Sequence, residues 1–212
     1  MNGAHLTLGL VGLAAAGAAV RGSANYGKSA RVLFQEQVRP ELWIRVYLAE
    51  FPWGRQLGVA LIRSPLLELD FADEYHDWNL GHVLADDSRA YKRGIWPSCR
   101  RSLEDLVRAG AVDDLFIVGQ SELDASQIGK GLGLAMYDAL VRAAGSLGCA
   151  VSPHWCARSG NVSERAKKVW RRLAERYPHV GDADYMRAEE DDWSSDFGEG
   201  EKEGPLIVWS TR

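Results

Sequence analysis

A chain of 212 residues with a formal net charge of −4 suits one domain with appendages, and it carries no global pull toward nucleic acid or an anionic membrane. Hydrophobic residues make up 46% and charged residues 25%, a balance that excludes a disordered or fibrous chain and allows a real core. Three cysteines, Cys99, Cys149 and Cys156, suggest no disulfide framework, which points to a reducing, cytoplasmic setting.

The chain opens on an apolar, small-residue run, LTLGLVGLAAAGAAV at 6–20, closed by Arg21. It is short for a membrane span, and no cationic side chain precedes it as a secretory signal would require. The expectation is a segment that packs on the domain or on a protein partner, with no membrane span. We therefore divide the chain into an N-terminal segment and linker, 1–30, and a domain, 31–212.

Beyond the linker, LWIRVYLAE at 42–50 alternates, with Leu42, Ile44, Val46 and Leu48 on one face and Trp43, Arg45 and Tyr47 on the other. PWGRQ reads as a turn into a second strand, LGVALIRS at 57–64, giving an antiparallel pair. Residues 65–97 show no clean period, although LLELDFADEYHDW has some helical character. CRRSLEDLVRAG then predicts a helix over 99–109 with Leu103, Leu106 and Val107 at helical spacing, stopped by Gly110.

LFIVGQSEL at 115–123 reads as a strand broken by Gly119, the mark of a bulge or a close backbone approach. A glycine loop follows and feeds a helix to about Leu147, with Leu132, Met136, Leu140 and Ala144 four apart. CAVSP at 149–153 is a short strand. Ser163 caps a helix over 163–177 whose stripe is Ala166, Val169, Trp170, Leu173 and Tyr177. An acidic loop at 189–204 leads to a final strand, PLIVWS, at 205–210. The order predicts an α/β (α+β) domain of mixed topology.

The loop SQIGKGLGLAMYDAL carries the chemistry. A phosphate-binding loop of the G-x-x-x-x-G-K-[ST] type fails, because Asp124 stands where its first glycine belongs and Gly131 where its hydroxyl residue belongs. A dinucleotide fingerprint fails at Leu134 and Met136. What remains is G-x-G-x-G between a strand and a helix. Its amides and the helix dipole suit a pyrophosphate, and the same glycines also suit a plain tight turn.

This segment resembles the signature of the GNAT superfamily of acetyl-CoA-dependent N-acetyltransferases, a strand followed by [Q/R]-x-x-G-x-[G/A] and a helix. Gly131 and Gly133 fall on its two glycines, with Ile128 at the Gln/Arg position and Gln127 one place early. SERAKKVWRRL is similar to the superfamily's N-x-x-A-x-x-x-Y helix, with Ser163 at the Asn, Ala166 at the Ala and Trp170 at the Tyr position. The resemblance covers about residues 112–177. The front half lacks the superfamily's usual helix pair and three-strand meander, and the helix at 99–109 interrupts the strands.

The resemblance implies a GNAT-like mixed, mostly antiparallel sheet flanked by helices, and an enzyme that moves the acetyl group of acetyl-CoA to an amine of a small molecule or a protein. Leu123, Gln127, Ile128, Gly129, Lys130, Gly131, Leu132 and Gly133 would hold the cofactor, and a backbone amide near 119–123 would face the thioester carbonyl. For the base, Glu122 lies on the strand just before the loop with Asp124 beside it, a place that equally suits a solvated strand-end carboxylate. Trp170 cannot give a proton at the usual Tyr position. That leaves Tyr137 as the acid, with Tyr177, Cys156, water or an unaided thiolate as alternatives. His154 and Trp155 would line the acceptor side.

Two other readings stand beside this one. One is a catalytically impaired, interaction-only copy that binds a partner through residues 6–20. An N-terminus of small residues joined to such a domain resembles proteins encoded by bacteriophages, which makes a virion component one form of it. The other is an acyltransferase acting on a nucleotide or DNA base, for which the basic helix surface of Arg165, Lys168, Arg171, Arg172 and Arg176 is the hint. Cys149, His154 and Cys156 lack a fourth ligand at zinc-like spacing, so no metal site is expected.

Overall fold

A computed structural model describes residues 29–64, 79–90, 94–95, 97–156, 162–183 and 205–211; at Ser29, Asn79, Ala90 and Trp155 it describes the backbone alone. The apolar run at 6–20, the stretch 65–78 and the acidic loop at 189–204 lie outside these residues. Among the described residues no helix is long and apolar enough to cross a membrane.

The alternation read at 42–50 becomes β2 (Leu42–Phe51), which pairs antiparallel with β3 (Gly54–Ile62) across a tight Pro52-Trp53 turn. Ile44, Val46 and Leu48 point into the main core together with Leu57, Val59 and Leu61. Three strands were not anticipated: β1 (Ser29–Arg39), β4 (Asn79–Asp87) and the two-residue β7 (His179–Val180). β1 and β4 flank the β2–β3 pair, giving four consecutive antiparallel strands. β1 is an edge strand with two register shifts, between Val32 and Phe34 and between Gln37 and Arg39, and these break its alternation. β4, NLGHVLADD, mixes Gly, His and two Asp residues into its length, which are poor strand signals.

The helix expected at 99–109 is α1 (Pro97–Arg108), ended by Gly110 at φ 69°. Next come β5 (Asp114–Leu123), α2 (Leu132–Ser146), β6 (Cys149–Ser152) and α3 (Glu164–Ala174), in the order read from the sequence. β7 (His179–Val180) and β8 (Ile207–Val208) complete an eight-stranded sheet ordered β1-β2-β3-β4-β5-β6-β8-β7. Only the β5–β6 pairing between named strands is parallel, so the sheet is mixed, mostly antiparallel and flanked by helices, as expected. β8 is shorter than the 205–210 strand expected. Pro205 can offer no N–H to a ladder, and it makes only an isolated bridge to Asp182. α3 stops at Ala174 instead of Tyr177, because the carbonyls of Arg171 and Leu173 turn to the amides of Glu175, Arg176 and Tyr177 ahead of Pro178.

The helices divide between the two faces. α2 and α3 pack on one face through Met136, Leu140, Ala144, Trp170 and Leu173. α1 packs on the other through Cys99 and Leu106, against Leu115, Ile117, Ala150 and Ile207.

The cysteine expectation is overturned. Cys99 and Cys156 are disulfide-bonded, with Cα atoms 5.7 Å apart, and Cys149 alone is free. The pairing is invisible in sequence because the two residues are 57 positions apart and meet only when α1 covers the end of β6. Cysteine usage therefore gives no argument for a reducing compartment.

Candidate functional site

β5 and β6 hold each other over four residue pairs only, from Asp114↔Cys149 to Ile117↔Ser152. β6 then stops at Pro153, while β5 runs six residues further to Leu123, so the two strands part. β5 is also distorted on its other side. Leu84 pairs with Gln120 and Ala85 with Val118, which leaves Gly119 as the extra residue of a bulge. The break read at Gly119 is thus real, and it lies where the strands separate.

A cavity of about 290 Å³ fills the opening, lined by Val118, Gly119, Gln120 and Ser121 of β5, Tyr137 of α2, His154, and Val162, Ser163, Ala166 and Trp170 around the start of α3. The Ser163 side chain caps α3 by accepting from the Ala166 amide, which fixes that wall. Tyr137 is buried, and its ring meets Trp170 edge-on at 5.3 Å. Its hydroxyl is hydrogen-bonded to Ser121, and burial holds the phenol above its ordinary range, so it stays protonated at neutral pH.

The glycine loop leads from β5 into the N-terminus of α2. Asp124 accepts from the Ser126 amide at 2.8 Å and from the Ser126 hydroxyl, starting a single 3-10 turn over 125–127. These contacts hold the exposed Asp124 carboxyl below its usual range. The buried Gln127 donates to Ser126 Oγ at 2.9 Å, and Arg39 of β1 donates to the Lys130 carbonyl at 2.6 Å. Gly129 and Gly131 then take φ of 80° and 78°, a left-handed backbone that favours glycine. Gly131 is the N-cap of α2 and has no side-chain cap hydrogen bond, so the first amides of the helix, at its positive end, are left without a side-chain cap.

Of the residues expected at the site, Tyr137 and His154 line the cavity. The loop residues Gln127, Ile128, Gly129, Lys130, Gly131, Leu132 and Gly133 are not in the cavity's lining; they join β5 to α2, two elements that line it, and Ile128 and Lys130 are exposed. Leu123 and Glu122 lie just past the cavity wall at the end of β5, and Glu122 is exposed. The backbone of Trp155 lies in the turn after β6. Sequence reasoning missed Gln120, Ser121 and Val162 as lining residues. The Gly119 break and the proline ending β6 were the signals that could have located them.

No family model, characterised protein or solved structure matches this chain. The reading of the site rests on its geometry alone. A parted parallel strand pair, a phenol inside the opening and a helix N-terminus reached through a glycine loop can together hold an anionic, elongated ligand with its reactive end between β5 and β6. Arg165, Lys168, Arg171 and Arg172 are exposed on α3 away from this opening, while Arg176 lies 3.7 Å from Asp138.

Proposed function

We propose that the chain is a GNAT-like N-acyltransferase that moves the acetyl group of acetyl-CoA to an amine. The observation that carries this reading is the opening between β5 and β6 together with the left-handed glycine loop that leads from β5 into the N-terminus of α2. The loop amides at 129–133 receive the pyrophosphate, using the partial positive charge of the α2 N-terminus. The stretch 118–121 has no strand partner on its β6 side and offers main-chain groups to the rest of the cofactor. The thioester then lies in the cavity beside Tyr137.

In the reaction the amine nitrogen attacks the thioester carbonyl carbon, the new C–N bond forms and the C–S bond breaks. Charge on the carbonyl oxygen is met by a backbone amide near the Gly119 bulge. The departing sulfur takes a hydrogen bond from the Tyr137 phenol, which burial keeps protonated. The ring of Tyr137 meets that of Trp170, the residue that stands at the superfamily's Tyr position. Glu122 brings negative charge to the side from which the amine arrives.

Gly133 offers a clean test of the cofactor loop. Its φ is ordinary, and a Cβ built on it meets nothing within 4 Å, so a side chain fits without strain. A carboxylate in the first turn of α2 also suits the helix dipole. Gly133→Glu is expected to fold with wild-type stability and to lose acetyl-CoA affinity by about 100-fold or more, through charge repulsion and occlusion of the amides. Calorimetric titration of both proteins checks this, and equal affinities would remove the loop from the cofactor site.

A further inference from the structure

The face of the sheet opposite α2 carries a polar row that the reaction as described leaves unused. Cross-strand register places Gln35, Arg45, Ala60, His82 and Glu122 side by side on β1 to β5. Leu84 and Gln120 sit in the next row, with Asp86 beyond them on β4. Gln120 also lines the cavity, and it is the diagonal neighbour of His82, a separation of about 7–8 Å between backbones. Gly81 brings the strands close here, since a Cβ on it would lie 2.9 Å from the Glu122 carbonyl oxygen.

His82 is half-buried, and its Nε2 is buried with no hydrogen-bond partner among the described residues. Buried polar atoms are almost always paired, and an orphan one row from Gln120 of the cavity wall marks a place where a ligand completes the set. The second such atom, Oδ1 of Asp87, lies at the closed end of the sheet. There its partner oxygen already accepts from Arg55 and Arg89, so it points to no ligand.

We propose that His82 takes the proton from the incoming amine and that Glu122, directly across the strand pair, supports the imidazolium that results. The inference rests on the acyltransferase reading and adds its proton acceptor. The amine N–H proton passes to Nε2 as the C–N bond forms. It leaves to solvent by way of the exposed Glu122 carboxylate, while the thiolate is protonated from the Tyr137 side. Acceptor and acetyl-CoA become N-acetylated amine and free CoA thiol, with no other reactant.

The electrostatics of this face agree. Burial depresses the His82 pKa below its ordinary value, and Glu122 opposes this by raising it, so the imidazole is neutral near pH 7. Asp86 accepts from Gln56 at 3.0 Å; burial pushes its carboxyl up, with Gln56 and His154 opposing that shift and Asp87 adding to it. Arg45 donates to Gln35 at 2.7 Å, two strands away from His82. Glu122 faces His82 directly across the strand pair, while Asp86 lies two rows further along β4, beyond Leu84.

The test measures thiol release from saturating acetyl-CoA, with methylamine as the probe acceptor, from pH 5.5 to 9, alongside calorimetric acetyl-CoA affinity. The variants are His82→Gln, His82→Asn and Glu122→Gln. After correction for methylamine's own ionisation, wild-type turnover is expected to rise to a plateau with an inflection below about 6.5. Both His82 variants should lose that inflection and turn over about 10- to 100-fold more slowly, with acetyl-CoA affinity unchanged. Glu122→Gln should move the inflection to lower pH, because the carboxylate that raises it is gone. Either His82 variant working at the wild-type rate with the wild-type profile overturns the proposal. So does a wild type that binds acetyl-CoA yet shows no methylamine-dependent release. A wild type that fails to bind acetyl-CoA is recognised from calorimetry alone, and it removes the cofactor reading together with this one.

Discussion

Reduction of the Cys99–Cys156 disulfide is expected to lower the unfolding free energy by about 4 kcal/mol. The cross-link closes a loop with a sequence separation of 57, and restricting the unfolded chain over that length gives this magnitude. Both cysteines are fully buried, one at the start of α1 and one at the end of the turn after β6, so the bond ties the α1 face to the strand that borders the cavity. Urea denaturation with and without a phosphine reductant, and of the Cys99→Ala/Cys156→Ala double variant, measures the effect as a fall in midpoint. Identical midpoints, or three free thiols per denatured chain where the bond predicts one, would contradict it. The remaining thiol, Cys149, is buried and its pKa is raised by that burial, so it should resist alkylation in the native state.

Trp170→Ala is expected to cost about 3–5 kcal/mol as a core truncation. Trp170 is 1% exposed and belongs to the cluster that includes Cys149, Val151, Tyr137 and Leu173, so the deletion leaves a void that neighbouring side chains fill only in part. Its ring also walls the cavity and meets the Tyr137 ring. The same variant should therefore weaken acetyl-CoA binding through a displaced phenol, while Trp170→Phe recovers most of the stability. A loss below about 1 kcal/mol for the alanine variant would mean that α3 does not pack as described.

The back half of the chain was legible because its signals are local. Gly110, Gly119, the 129–133 loop and the Ser163 cap each punctuate an element within a few residues, and the apolar stripes of α2 and α3 repeat at helical spacing. The sequence also placed Trp170 in the core, and it singled out Tyr137, which lines the cavity. β1 and β4 escaped because bulges displace their alternation, at Leu80 in β4, and because their stability comes from neighbours brought in by register, which no single window contains. The disulfide escaped for the same reason at longer range. Within the site, Gln120 and Ser121 carried no signal of their own. Their importance follows from the parting of β5 and β6, a property of pairing. His82 stood in a stretch without periodicity, and only the register of β4 against β5 sets it opposite Glu122.

The central claim is that the opening between β5 and β6 and its glycine loop form an acetyl-CoA site. Calorimetric titration of the full-length protein with acetyl-CoA tests it most directly. One site per chain is predicted, with affinity strongly reduced in Gly133→Glu and lost to competition by free CoA. No heat of binding and no thermal stabilisation at millimolar acetyl-CoA would contradict the account.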